Sequence, residues 1–173
     1  VAKGAKQQPP PDSGIDSFEF WLPTRRPGGQ NLALRAEPPL AVFAPAQVTN
    51  GVERPTTAAN AWVAGLTDPQ PRLTLQWPEP VTLARVELGF DNDWDHPLES
   101  VLWGHPERDI PFCVRHYRLL DDTGAVLYEA LDNHQTRNSV RLQPPARTSA
   151  LHLEVVSTHG APAALFEIRC YAE

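Results

Sequence analysis

Between Phe90 and Phe112 the chain reads FDNDWDHPLESVLWGHPERDIPF, a stretch dense in groups that bind ligands. Asp91, Asp93 and Asp95 give D-x-D-x-D, the opening of a twelve-residue calcium loop. The pattern then fails. Position six is His96 where that loop needs glycine, and position twelve is Leu102 where it needs glutamate. Three readings stand: a polar-ligand surface, an irregular hard-cation site, or a solvated acidic loop held by Asx turns. Trp94 and Trp103 offer flat apolar faces to the C–H side of a sugar ring. The carboxylates of Asp93 and Asp95 and the imidazoles of His96 and His105 match its hydroxyls. Alternatively, both rings pin the loop to the body as a small satellite core. Downstream, His134, Gln135 and Arg137 in DNHQTR form a dense donor set, and His159 lies in STHGAPAA. The set binds an anion or sugar hydroxyls, or it clamps the acidic loop. That loop holds six acids against Arg108, which gives Arg115 and Arg137 ready partners.

Catalytic signatures are missing. The chain has no G-x-S-x-G, no H-E-x-x-H and no Cys–His nucleophile pattern, so it is not expected to be an enzyme. The net charge of −6 argues against a nucleic-acid partner. No run approaches the roughly 20 apolar residues of a membrane span. The chain starts at Val1 and lacks methionine, which reads as a fragment or a processed protein. Cys113 and Cys170 sit in apolar, strand-like runs and read as two buried thiols, with a disulfide between adjacent strands as the alternative.

These groups need a scaffold, and the sequence supplies strands. Leu73, Leu75 and Trp77 alternate with polar residues. So do Val86, Leu88 and Phe90; Tyr117 and Leu119; Val126 and Tyr128; Val140 and Leu142; Leu151, Leu153 and Val155; and Phe166, Ile168 and Cys170. DDTG at Asp121–Gly124 is a hairpin signal. PEP at Pro78–Pro80 reads as a turn and QPPARTS as a loop, and residues 56–66 read as an irregular loop or one helical turn. The prediction is an all-β jelly-roll β-sandwich of about eight antiparallel strands in two sheets. It occupies residues 31–173, and residues 1–30 form a Pro-rich linker with one added strand at Phe18–Leu22. If successive strands run antiparallel, the loops at 91–111, 131–138 and 157–164 share one end. That end collects Asp93, Asp95, His96, His105, His134 and His159, with Trp94, Trp103 and Trp62 nearby.

Several strings resemble the galactose-binding-like (discoidin, coagulation-factor C-type) domains. They are NLA at Asn31–Ala33, VTNG at Val48–Gly51, Trp62, PRLTLQWPEPVTLARVEL, and the closing LHLEVVSTHGAPAALFEIRCY. The resemblance implies a jelly-roll sandwich with a binding role for carbohydrate. It also implies a structural calcium near Asn50 and Glu167, although Asn-Gly here replaces the family's Asp-Gly and removes a carboxylate, and Glu167 reads equally as an exposed strand residue opposite Arg169. FDNDWDHPLESVLWGHPE, PFCVRHYRL and NHQTR further resemble the C-terminal module of bacterial FAD-dependent oxidoreductases. That likeness implies a docking domain whose partner is another part of the same polypeptide. With no G-x-G-x-x-G, no flavin is expected in this chain.

Overall fold

The computed structural model describes residues 37, 42–56, 58–65, 67–91, 113–160 and 162–173. All but Glu37 belong to one compact unit, Val42–Asp95 with Glu107–Glu173. The linker and the strand expected at Phe18–Leu22 lie outside the described residues, as does Asn31–Ala33.

Two long strands organise the unit. β2 (Arg72–Phe90) and β5 (Arg137–Thr158) pair antiparallel from Arg72↔Glu154 to Gly89↔Arg137. The pairing slips twice. Between Gln76↔Ala150 and Val81↔Thr148, β2 advances five residues while β5 advances two. Between Leu83↔Ala146 and Arg85↔Arg141, β2 advances two while β5 advances five. The surplus falls on Trp77–Pro80 in one strand and on Gln143–Pro145 in the other. Proline has no N–H to give a ladder, so pairing lapses where prolines cluster. These segments are corners within continuous strands, which corrects the reading of PEP as a turn and QPPARTS as a loop. The slips also change which face each strand buries. Leu73 and Leu83 are buried before the second slip of β2, and Val86, Leu88 and Phe90 after it.

The remaining strands flank this ribbon. β3 (Val114–Leu120) pairs with the second half of β5, and β4 (Val126–Ala130) pairs with β3. β6 (Ala164–Tyr171) pairs with the second half of β2, and β1 (Trp62–Val63) pairs with β6. The order is β1-β6-β2-β5-β3-β4. A 3-10 helix, Pro45–Thr49, precedes them and buries Val48.

One ring contact shows that the ribbon folds over into a sandwich. Tyr117 on β3 lies opposite Val155, near the Arg72 end of the ribbon. Phe90 lies at the other end of β2, about 60 Å away along a straight strand. Their ring centroids are 5.3 Å apart. The Tyr117 hydroxyl also donates to Asn138 Oδ1 at 3.2 Å, at that same far end. The two halves therefore face each other. The core between them holds Leu73, Leu83, Val86, Leu88, Phe90, Tyr117, Leu119, Val140, Leu151, Leu153, Leu165 and Ile168.

The architecture is the expected all-β sandwich, with six strands among the described residues instead of about eight. Two pairs of expected strands are single continuous strands, and the expected N-terminal strand lies outside the described residues. β1 arises in the segment read as an irregular loop, and its Trp62 is 7% exposed in the core.

The outer face of the β4–β3–β5–β2 layer carries an ion ladder. Glu129 accepts from His116 (2.8 Å) and Arg118 (2.7 Å), Arg118 reaches Glu154 (3.5 Å), and Glu154 meets Arg72 (3.4 Å). The His116 and then the Arg118 hydrogen bond hold the Glu129 carboxyl below its ordinary value. Asp121 and Asp122 are lowered likewise, first by Thr123 and Ser149. Carboxyls depressed in the folded state stabilise it above their unfolded values, and that stability is lost as pH falls through the folded ones. The melting temperature should hold from neutrality to about pH 5 and fall steadily below about pH 4, with a shallower fall in Glu129→Gln. A pH series of thermal melts checks this; equal melts at neutrality and about pH 3 would refute it.

Candidate functional site at one end of the sandwich

The strand ends sort into two groups. At one end the Asp121–Gly124 turn meets the β5 corner. Asp122 N donates to Thr148 Oγ1 (3.0 Å), and Asp122 Oδ2 accepts from Ser149 N (2.9 Å) and Oγ (2.6 Å). This turn is structural. Asp121 Oδ1 caps the backbone N–H groups of Thr123 and Ala125, both at 2.9 Å, and Gly124 takes φ +84°.

At the opposite end four segments converge. Phe90 N donates to Thr136 O (2.7 Å), Asp91 N to Ala164 O (3.3 Å) and Ala64 N to Ala163 O (2.9 Å). A His159 ring nitrogen bonds the Asn133 carbonyl at 2.8 Å. The start of the acidic loop thus lies beside the 131–136 and 159–163 loops.

Asn133 knots these loops together. Its side chain is buried, with Nδ2 donating to Val114 O (2.7 Å) and Gln135 O (3.0 Å) and Oδ1 accepting from Gln135 N (3.1 Å). Its own N–H donates to Arg115 O at 2.7 Å. Cys113, fully buried, packs against this knot with Sγ 3.4 Å from Gln135 O. A polar side chain in that position must be satisfied internally. Asn133→Ala strands Val114 O and Gln135 N at a cost of roughly 2 kcal/mol. The melting temperature should drop by about 7 °C, as read by circular dichroism. An unchanged melt would show that water replaces the amide.

The knot holds the neighbouring side chains outward. His134 and Gln135 are exposed, and neither side chain has a protein partner among the described residues. His159 is half-buried against Asn133. Arg137 is exposed and pairs with Glu53, while Arg115 pairs with Asp132 at 2.8 Å. The expected clamp of these two arginines on the acidic loop falls on residues outside the described ones. Asp93, Trp94, Asp95, His96, Trp103 and His105 lie outside the described residues. Asn133 and Glu53 were missed from the sequence. Neither has a local signature, since a loop asparagine and a loop glutamate look like solvated residues.

The two residues expected to hold calcium are engaged by protein partners. Asn50 closes a turn: Oδ1 accepts from Val52 N (2.9 Å), Nδ2 donates to Asn60 Oδ1 (2.8 Å), and Gly51 takes φ +83°. Glu167 lies on β6, buried, with both carboxylate oxygens on Arg169 (2.7 and 2.8 Å). Both cysteines are free thiols, and burial pushes the Cys170 thiol up to about 11.

No protein-family model and no curated protein matches the chain. Solved structures do. A family 32 carbohydrate-binding module from Streptococcus pneumoniae EndoD superposes with a TM-score of 0.57 at 16% identity, covering 76% of this chain and 86% of that one. The family 32 module of Clostridium perfringens NanJ, solved with galactose, gives 0.55 at 10% identity over 76% and 86%. A chitosan-binding module from a Paenibacillus sp. IK-5 chitosanase/glucanase gives 0.54 at 12% identity over the same shares. These superpositions show that the chain has the galactose-binding-like β-sandwich fold of the family 32 carbohydrate-binding modules.

Proposed function

We propose that the chain is a non-catalytic carbohydrate-binding module, with its site on the loops at the Asn133 end. The observation that carries this reading is the convergence of the 131–136 and 159–163 loops with the start of the acidic loop. There His134 and Gln135 project outward from a buried hydrogen-bonded support. An imidazole and a primary amide both donate and accept, as sugar hydroxyls require. Solved neighbours that share the fold bind galactose or chitosan by their own descriptions, which supports the ligand class without naming the sugar. In this reading Asp93, Asp95, His96 and His105 complete the polar wall, and Trp94 or Trp103 supplies a stacking face. Arg137, committed to Glu53, lies at its margin.

A glycan microarray tests the proposal. The expected result is saturable binding to one class of glycan, confirmed by a free-sugar titration that changes tryptophan fluorescence. A blank array, with this end of the sandwich buried in the full-length parent, would favour the docking reading instead.

A further inference from the structure

The resemblance to galactose-binding-like domains implies a structural calcium near Asn50 and Glu167, and the donor set here does not fit one. Calcium takes roughly six to eight oxygen ligands. The Asn50 side-chain oxygen serves its own turn, and both Glu167 oxygens belong to Arg169. Among the described residues no group of three or more His, Cys, Asp or Glu is arranged to hold a metal.

Other charges fill the role. The Glu167 side chain is 5% exposed, so its carboxylate needs a counter-charge inside the protein. Arg169 supplies it through two parallel bonds, the fork geometry that a guanidinium offers and an ammonium does not. Arg169 Nη2 also lies 3.5 Å from Glu53 Oε1, and Glu53 Oε2 meets Arg137. Two carboxylates and two guanidiniums thus alternate as Glu167–Arg169–Glu53–Arg137. They border a cavity of about 250 Å³ on the β5–β2–β6 layer, with Glu87, Gly89 and Ser139. The chain ties the Glu53 loop to β6 through Arg169 and to β5 through Arg137. Arg137 is 79% exposed, and an exposed pair contributes little. The Glu167–Arg169 pair, a buried carboxylate held by a guanidinium that is 43% exposed, is the stronger member.

We infer that Arg169 takes the place of a structural metal ion, joining β6 to the Glu53 loop and making the fold independent of calcium. Glu167 is the anchor, Glu53 is the loop's tether, and Arg169 is the cation between them.

Thermal melts of the whole chain test this. The wild type should melt at the same temperature in millimolar calcium chloride and in excess EDTA. Arg169→Ala should melt roughly 5 to 10 °C lower, because it leaves Glu167 buried and uncompensated. Glu167→Gln/Arg169→Ala removes both charges and should recover most of the loss, even if Arg169→Ala alone fails to fold. Arg169→Lys should fall between wild type and alanine. The inference is overturned by a calcium-dependent rise in the wild-type melt that Glu167→Gln abolishes. It is overturned equally if the double variant is no more stable than Arg169→Ala alone.

Discussion

Tyr117→Ala should lower the melting temperature by about 15 °C, the largest effect of any single substitution considered. Tyr117 has no exposed surface. Its ring meets Phe90 at 5.3 Å and Tyr128 at 6.0 Å, and its hydroxyl donates to Asn138. Burial, with Tyr128 beside it, raises the phenol's pKa and keeps it protonated as a donor. Truncating a fully buried aromatic costs about 3 to 5 kcal/mol in lost transfer energy and cavity. Here the cavity opens between the layers, where Tyr117 on β3 and Phe90 on β2 hold the folded ribbon closed. Tyr117→Phe keeps the ring and loses only the bond to Asn138, so it should cost about 1 kcal/mol. Guanidinium melts of the two variants separate these terms. Equal losses would place the stabilisation in the hydroxyl and contradict the role given to the ring.

The strands that close this sandwich were legible because their signal is local. Leu73 and Leu75, Val86 to Phe90, and Leu151 to Val155 each bury alternate residues, and a period of two survives in any stretch long enough to show it. Asp121–Gly124 was legible as a turn because the side chain that caps it lies in the same four residues. Continuity through Pro78 and Pro144 was not legible. Whether a proline segment reverses the chain or only bends it depends on partners such as Arg141 opposite Arg85, which lie 56 residues apart in sequence. Trp62–Val63 is too short to display any period.

The site divides in the same way. That the loops bearing His134 and His159 share an end followed from counting strands. Only the β5 corner lies between these two loops, and because the ribbon folds over there the chain still returns to the same end. The burial of Asn133 and the pairing of Arg137 with Glu53 depend on which side chains the fold brings together. No window of sequence contains that information.

His134→Ala/Gln135→Ala should weaken sugar binding at least tenfold while leaving the melting temperature unchanged. Both side chains are exposed and unpartnered among the described residues, so their loss strands no protein group. A surface change of this kind shifts stability by less than about 0.5 kcal/mol. A bound sugar hydroxyl left without its partner costs about 1 to 3 kcal/mol, and two such losses exceed a tenfold change. Isothermal titration calorimetry gives the affinity, and a melt of the same samples gives the stability. Asn133→Ala sets a contrast: it lowers stability by loosening the loops and disturbs binding only through that loosening.

A glycan microarray probed in parallel with wild type and His134→Ala/Gln135→Ala decides whether the Asn133 end of the sandwich binds carbohydrate. Wild type should bind one class of glycan, and the double variant, folded to the same melt, should lose most of that signal. Full binding by the double variant would move the site away from these loops, and no binding by wild type would contradict the claim outright.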